Sequence, residues 1–337
     1  MIKKSFSVQR QSLLSIFYQQ GFEPRKRFYT LIGLPFRVLF QICRKIPFFP
    51  TSSTALFYRG DKSYPFKFDI AKNTQFESIF MKAYENGYEP EIGAAIDLLL
   101  PKEGILYDIG ANWGHHSFYT AANKNFTGKI YSFEPFPSSF NNLSKLVKQF
   151  NLQDTIYPVN IALSNKTSFV NMEIPRGLSG RAKITSLASS QGKISAQPLD
   201  TLTLSKPDVM KIDVEGFEHE VLIGSIQTIK KHQPLIIIEN WKSTTYGETL
   251  KPLELLESLD YNCHILGWEL QDKETNEPII LHSLYDINTN KFKINLILIP
   301  FHSELRFLFD NLLNILALPK GFIIPESISV YKKSPAL

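Results

Sequence analysis

Ile105-Leu-Tyr-Asp-Ile-Gly-Ala-Asn-Trp-Gly114 is an apolar run that ends in a turn carrying two glycines. Ile105, Leu106 and Ile109 predict a short strand buried on both faces of a parallel sheet. Gly110 and Gly114 lack a Cβ, so the chain can turn tightly there and a ligand can approach the backbone closely. The segment from His115 to Ala122 predicts a helix. Strand, glycine turn and helix N-terminus together form a nucleotide-binding crevice, with backbone amides and the helix dipole aimed at the ligand.

The turn is not a phosphate cradle. A Walker loop needs a Gly-Lys-Ser/Thr ending, and a dinucleotide fingerprint needs three glycines in G-x-G-x-x-G spacing. Neither is present, because Ala111, Asn112 and Trp113 separate Gly110 from Gly114. Asp108, just before the turn, would repel a pyrophosphate and attract an ammonium group. An adenosyl ligand that bears an amino acid in place of phosphates is S-adenosylmethionine.

About 25 residues on, Lys129-Ile-Tyr-Ser-Phe133 predicts the next strand, with Glu134 at its C-terminal end. This is near the spacing at which dinucleotide folds place an acidic residue on a ribose. A carboxylate there accepts charge-assisted hydrogen bonds from both ribose hydroxyls. Pro135-Phe136-Pro137 turns the chain, and Phe136 is placed equally well for adenine contact or core packing. Ser138 or Ser139 is suited to cap a helix carrying Phe140, Leu143, Val147 and Phe150 at helical spacing.

Pro207-Asp-Val-Met-Lys-Ile-Asp-Val-Glu-Gly216 repeats the pattern of an apolar strand running into a turn. Helical positions Phe217, Val221, Leu222 and Ile229 follow it. Pro234-Leu-Ile-Ile-Ile-Glu239 is another apolar strand ending in a carboxylate. With the Asp108–Gly114 turn, Phe133-Glu-Pro135 and Asn160-Ile-Ala-Leu-Ser164, the chain over residues 55–300 resembles the FkbM family of S-adenosylmethionine-dependent methyltransferases. Ile212-Asp-Val-Glu-Gly216 is the most specific of these motifs.

The resemblance implies methyl transfer from S-adenosylmethionine to a hydroxyl oxygen on a saccharide, glycan or related metabolite. It implies a cofactor site at Asp108, Gly110, Ala111, Asn112 and Gly114, with Glu134 at the ribose, Pro135 and Phe136 in the turn that follows it, and Asn160, Ile161 and Ala162 beside the adenine. Asp213 would stand beside the methyl donor, with Glu215 and Glu239 in neighbouring loops at the same sheet edge.

The chemistry needs little more. A sulfonium methyl is already electrophilic, so the enzyme aligns an acceptor for in-line attack and receives its proton. A sugar hydroxyl is a poor nucleophile at neutral pH and needs a base. Asp213, Glu215 and Glu239 are the candidate catalytic carboxylates, and their repulsion could raise one into a usable range. The same cluster is alternatively suited to hold a Mg²⁺ that orients vicinal hydroxyls. His115, His116 and His219 are further candidates, read first as structural or solvated. Lys211 is expected to face away from Ile212 and to be structural.

The 337 residues suit one large domain with extensions. Two distant cysteines, Cys43 and Cys263, form no CxxC pattern, so a disulfide framework is not expected and the cytoplasm is the expected compartment. Charge is uneven. Residues 1–47 hold nine Lys/Arg against one acid, Glu23, giving that segment about +8 while the whole chain is +5. The catalytic region is therefore not basic, which argues against a general nucleic-acid-binding surface. A nucleic-acid methyltransferase gripping phosphates with the basic segment remains a rival class, as does a non-catalytic binding module that keeps the fold.

Within the basic segment, Pro35 is suited to open a helix with Phe36, Leu39, Phe40 and Cys43 on one face. Phe28 to Phe36 adds an apolar run upstream, but no stretch is long enough to span a bilayer. Three readings stay open: an extension packed on the core, a basic amphipathic helix on an anionic membrane through residues 1–47, or a transit peptide in residues 1–20.

The expected fold is α/β. It is a Rossmann-like class I methyltransferase sheet, mostly parallel with an antiparallel edge strand, plus a helical N-terminal extension. The expected partition is 1–50 extension, 51–100 strand/helix lead-in over the cofactor site, 101–300 methyltransferase domain and 301–337 tail. Thr51 to Asp69 reads as short strands around the Arg59-Gly-Asp61 turn, and Asn73 to Leu100 as helical, with Tyr88-Glu-Pro90 in its middle. Leu253 to Leu259 suggests a helix. Tyr261 to Gly267 and Ile294 to Ile299 suggest the last two strands, joined by a loop or hairpin over Trp268 to Lys291. Leu305 to Leu318 suggests a final helix.

Overall fold

The computed structural model describes residues 5–22, 30–72, 76, 79, 86–173, 183–187, 194–241, 246–284, 287–303 and 312–331. The chain opens with strand β1 (Phe6–Arg10) and helices Leu13–Phe22 and Thr30–Cys43. The hairpin β2 (Ser52–Arg59) and β3 (Lys62–Asp69) turns at Gly60, in the left-handed region, as Arg59-Gly-Asp61 suggested. β1 pairs antiparallel with β2, so the extension and the hairpin share one three-stranded sheet.

That sheet packs on the main domain through aromatic rings. Phe57 stacks on Phe150 with ring centres 4.5 Å apart, and Phe6 meets Trp113 at 5.2 Å. Trp113 is buried in the glycine turn itself, so the extension leans directly on the expected cofactor loop.

The main sheet starts with β4 (Ile105–Ile109), β5 (Lys129–Phe133) and β6 (Ile156–Val159), all parallel. A separate four-stranded sheet, which the sequence reading did not foresee, follows in β7 (Ala162–Leu163), β8 (Ser168–Glu173), β9 (Lys183–Leu187) and β10 (Ile194–Gln197). The main sheet resumes with β11 (Val209–Ile212), β12 (Leu235–Trp241) and β13 (Tyr261–Asp272). A hairpin strand β14 (Pro278–Leu281) lies against β13, and β15 (Phe292–Pro300), β16 (Leu312–Pro319) and β17 (Ser329–Val330) complete the fold. The order is β17-β15-β13-β16-β12-β11-β4-β5-β6. The run from β12 to β6 is parallel; β16 is antiparallel to both β12 and β13. The fold is thus α/β, with one large mixed sheet and flanking helices.

Several expectations are corrected. Of the stretch read as a helix over Leu305–Leu318, residues 305–311 lie outside the described residues and Leu312–Pro319 is a strand. Antiparallel pairing is not confined to one edge strand: β16 lies inside the sheet between β12 and β13, while β15, antiparallel to β13, and the edge strand β17 beside it also run against β12. Leu313, Ile315 and Ala317 enter the core on one face of the sheet, and Leu316 and Leu318 the core on the other. An apolar run buried on both faces has no period-2 signature, so sequence cannot separate it from a buried helix.

The long helix read over Asn73–Leu100 is interrupted. Helix Pro90–Leu99 starts with Pro90 in its first turn, after Glu89 in a left-handed conformation (φ 44°). Tyr88-Glu-Pro90 therefore begins a helix rather than lying within one; Phe80 and Tyr84 fall outside the described residues. Pro35 does not open its helix, which runs from Thr30 through it, at the cost of one backbone bond near the N-terminus. Of the residues read on one face of this helix, Phe40 and Cys43 are buried and Leu39 is exposed. Pro137, not Ser138 or Ser139, begins the helix Pro137–Gln149, because its fixed φ suits the first turn. Among the described residues no helix is long and apolar enough to cross a membrane.

Candidate active site

Four parallel strand ends are stitched together by backbone bonds. Gly110 N and Ala111 N both donate to Phe133 O at 3.0 Å, Asp213 N donates to Ile109 O at 3.0 Å, and Glu134 N to Val159 O at 3.0 Å. The sequence puts its polar residues just past these ends, so they converge on one edge of the sheet. Asn112 (φ 53°) and Glu215 (φ 55°) hold left-handed conformations there, a strain that β-strand ends carry only when the surroundings enforce it.

Glu134 is the organiser of the first loop. Its carboxylate accepts from Asn112 N at 2.7 Å and from Phe136 N at 2.8 Å. Burial raises its pKa to about 7, against the pull of those amides. The Asn160 side chain donates to Glu134 O at 2.8 Å and to Pro135 O at 3.2 Å, tying the β6 loop to the β5 loop. Ala162 is buried, while Asn160 stays exposed and Phe136 and Ile161 half-buried.

Asp108 lies beneath this loop. It is fully buried and accepts from Ser117 N at 3.1 Å and Ser117 Oγ at 2.5 Å, at the start of helix His115–Ala121. Its second oxygen, Oδ1, has Lys211 Nζ 3.7 Å away. Lys211 does face away from Ile212, as strand alternation requires, but its ammonium reaches the candidate site, 3.0 Å from Asp213 Oδ2. Burial alone would lower the Lys211 pKa; the Asp213 and Asp108 carboxylates outweigh it and hold the ammonium above its ordinary range. Reciprocally, burial would raise Asp213, and Lys211 holds it below the usual carboxylate range.

Glu239 hydrogen-bonds Asp213 through their side chains. Burial, then the charges of Asp213 and Glu89, push Glu239 up to about 11. At neutral pH the pair is therefore one ionised and one protonated carboxyl, with the Glu239 hydroxyl donating to Asp213. Glu215 is half-buried on the turn after Asp213, and Glu218 braces that turn by accepting from Val214 N at 3.2 Å and Gly216 N at 3.0 Å.

Two site residues escaped the sequence reading in their role. Glu89 Oε2 lies 2.8 Å from His116 Nε2, both buried, and both are electrostatically coupled to the Asp213–Glu239 pair. The Glu89 signal was visible in Tyr88-Glu-Pro90, where a proline fixes the turn. His219 is half-buried. His115 is half-buried, and desolvation of its ring, with His116 and Lys211 nearby, holds its pKa well below the ordinary value.

The site has features suited to an adenosyl amino acid. Asn112 Oδ1 is a buried acceptor with no hydrogen-bond partner, next to the Glu134 carboxylate. Each carboxylate oxygen also keeps acceptor capacity beyond its one amide. Among the described residues no group of three or more His, Cys, Asp or Glu is arranged to hold a metal ion.

Residues 108–263 match the Methyltransferase FkbM domain, a narrower span than the 55–300 over which the motifs were read. Hexuronic acid methyltransferase AglP of Haloferax volcanii is 29% identical over 139 residues, covering 40% of this chain and 56% of that protein. The chain thus spans little more than half the length of this curated relative. Among solved structures, methyltransferase FkbM from Methylobacillus flagellatus is 19% identical with a TM-score of 0.36, over 48% of this chain and 39% of that one. An S-adenosylmethionine-dependent O-methyltransferase from Thermotoga maritima is 7% identical with a TM-score of 0.38, over 80% and 79%.

Proposed function

We propose that this chain, whose residues 108–263 match the Methyltransferase FkbM domain, is an S-adenosylmethionine-dependent O-methyltransferase acting on a hydroxyl of a saccharide, glycan or related metabolite. The observation that carries this reading is the convergence of Gly110–Gly114, Glu134 and Asp213 on one sheet edge. The order β6-β5-β4-β11-β12, with β16 antiparallel between β12 and β13, supports a Rossmann-like class I methyltransferase sheet. The acceptor class is taken from AglP, named a hexuronic acid methyltransferase.

Bound S-adenosylmethionine supplies an electrophilic methyl group. Glu134 takes the ribose hydroxyls, the Gly110–Gly114 backbone takes the methionine end, and Asn160, Ile161 and Ala162 line the adenine. Asp108 acts from below, fixing the helix start through Ser117. Asp213, ionised beside Lys211, accepts the hydrogen bond of the acceptor hydroxyl and orients its lone pair toward the methyl. The protonated Glu239 and the neighbouring Glu215 shape the acceptor's seat; Asp213 is the group that receives its proton. Both cysteines are free and buried, in keeping with the proposed cytoplasmic setting.

A two-step experiment tests this. Calorimetry first asks whether the protein binds S-adenosylmethionine; failure there favours a non-catalytic module. An acceptor screen with labelled S-adenosylmethionine then compares uronic acids, neutral saccharides and nucleic acid. Asp213→Asn should bind cofactor nearly normally and lose about 10²–10⁴ in turnover. Label on RNA or DNA in place of saccharide would reassign the substrate.

A further inference from the structure

We propose that the outward face of helix Thr30–Cys43, with the turn that follows it, docks on an anionic phospholipid bilayer. This goes beyond the methyltransferase reading and does not depend on it. The expected apolar face of this helix does point partly inward: Phe40 and Cys43 are buried, and Phe40 packs edge-on against Tyr18 at 5.0 Å. What the structure adds is a second apolar stripe on the other side. Leu34, Val38 and Ile42, four residues apart, are 52%, 49% and 53% exposed. Ile46 continues the line at 48%, and Phe48 stands free at 104%, in a left-handed turn with φ 68°. The adjoining helix adds Leu13 and Ile16, also exposed.

Single exposed aliphatic residues are ordinary; a contiguous row is not, and it marks an interaction site. Charge selects the occupant. Between Pro24 and Gly60 the chain has seven basic residues and no acidic one. Lys45 is exposed at the end of the stripe, and the Arg44 guanidinium sits 5.6 Å over the Phe40 ring, at the stripe's flank. A second copy of this chain would bring like charges together. A nucleic acid offers phosphates but no bed for a row of aliphatic side chains. An anionic bilayer offers both, headgroups for the cations and an acyl boundary for Leu34, Val38, Ile42, Ile46 and Phe48.

The test uses the full chain and extruded vesicles of phosphatidylcholine, with or without phosphatidylglycerol. Wild type should pellet with the anionic vesicles, stay in solution with the neutral ones, and release as salt rises. Val38→Asp combined with Ile42→Asp should abolish pelleting while leaving the melting temperature unchanged, since both sites are exposed. Lys45→Gln should weaken binding roughly fivefold, the effect of one cation near such a surface. Phe48→Trp should shift its emission to the blue only with anionic vesicles. Equal pelleting of the double Asp variant, or no pelleting of wild type, overturns the proposal. So does a concentration-dependent dimer or a tight complex with an acidic protein that the double Asp variant loses while vesicles never bind.

Discussion

The carbonyl oxygen of Asp213 occupies the place a side chain on residue 110 would need: a Cβ built on Gly110 would lie 1.7 Å from it. The two positions belong to loops that follow neighbouring strands, β4 and β11, and Asp213 N is bonded to Ile109 O. The glycine turn is therefore held against the loop after β11 chiefly through backbone. Any shift of one loop moves the other, which couples the proposed cofactor turn to Asp213, the proposed proton acceptor.

Gly110→Ala should be severely damaging for that reason. Overpacking against backbone costs about 1–3 kcal/mol, and the left-handed φ of 78° adds about 1–2 kcal/mol for a residue with a Cβ. Gly216→Ala is the control. Gly216 also has a left-handed φ, 96°, but its Cβ would meet nothing within 4 Å, so only the conformational strain applies. Calorimetric unfolding should show the first variant far less stable than the second; similar melting temperatures would separate the loops.

Lys211→Met removes the shared cation of Asp108 and Asp213. Breaking a buried ion pair from one side costs about 3–5 kcal/mol, and Asp213 is partly exposed, so the lower figure is expected. Asp213, relieved of Lys211, should titrate upward. In wild type its lowered pKa gives stability above the unfolded carboxylate value that is lost as pH falls through the folded one. The variant should lose that acid-side dependence, measured by urea denaturation from about pH 5 down to about pH 2.

The parts of this architecture legible in sequence were those carried by local chemistry. Gly110 and Gly114 marked a turn because no other residue suits their geometry, and Glu134 stood out as an acid directly after an apolar strand. Lys211 was read correctly for its face, but its pairing with Asp108 and Asp213 was not foreseen, because alternation says where a side chain leaves the strand but not what it meets. Leu312–Pro319 was misread because its neighbours β12 and β13 are dozens of residues away, and only their packing makes it a strand. Leu34, Val38 and Ile42 were passed over since a helix with apolar residues on two sides does not declare which side is buried.

Glu91→Gln tests a second buried carboxyl at the same edge. Glu91 is raised to about 7 by burial, with Asn314 Nδ2 donating to it at 2.9 Å. A carboxyl with a raised folded pKa binds its proton more tightly in the native state. Its contribution is most favourable below the unfolded value of 4.5 and is lost as pH rises to about 7, about 3 kcal/mol in all. Gln keeps the acceptor for Asn314 but carries no proton. The variant's stability, followed by denaturant titration from pH 4.5 to 8, should fall less steeply than that of wild type. Parallel curves would place the titration elsewhere.

Glu134 gives the proposed cofactor site a pH signature of its own. In the free protein it titrates near 7 because it is buried. Ribose hydroxyls donate to the ionised carboxylate, so binding S-adenosylmethionine should draw the proton off and lower that pKa. Affinity should therefore rise with pH up to about 7 and level off above it, falling toward tenfold per pH unit well below. Calorimetry in buffers of different ionisation enthalpy should detect the released proton. Glu134→Ala removes both effects, and weakens binding by about 10- to 150-fold for each charged hydrogen bond lost. A wild-type dissociation constant that is flat from pH 5.5 to 8, or an Ala variant that binds like wild type, would take Glu134 out of the ribose site and leave it as a brace for the Asn112 and Phe136 amides.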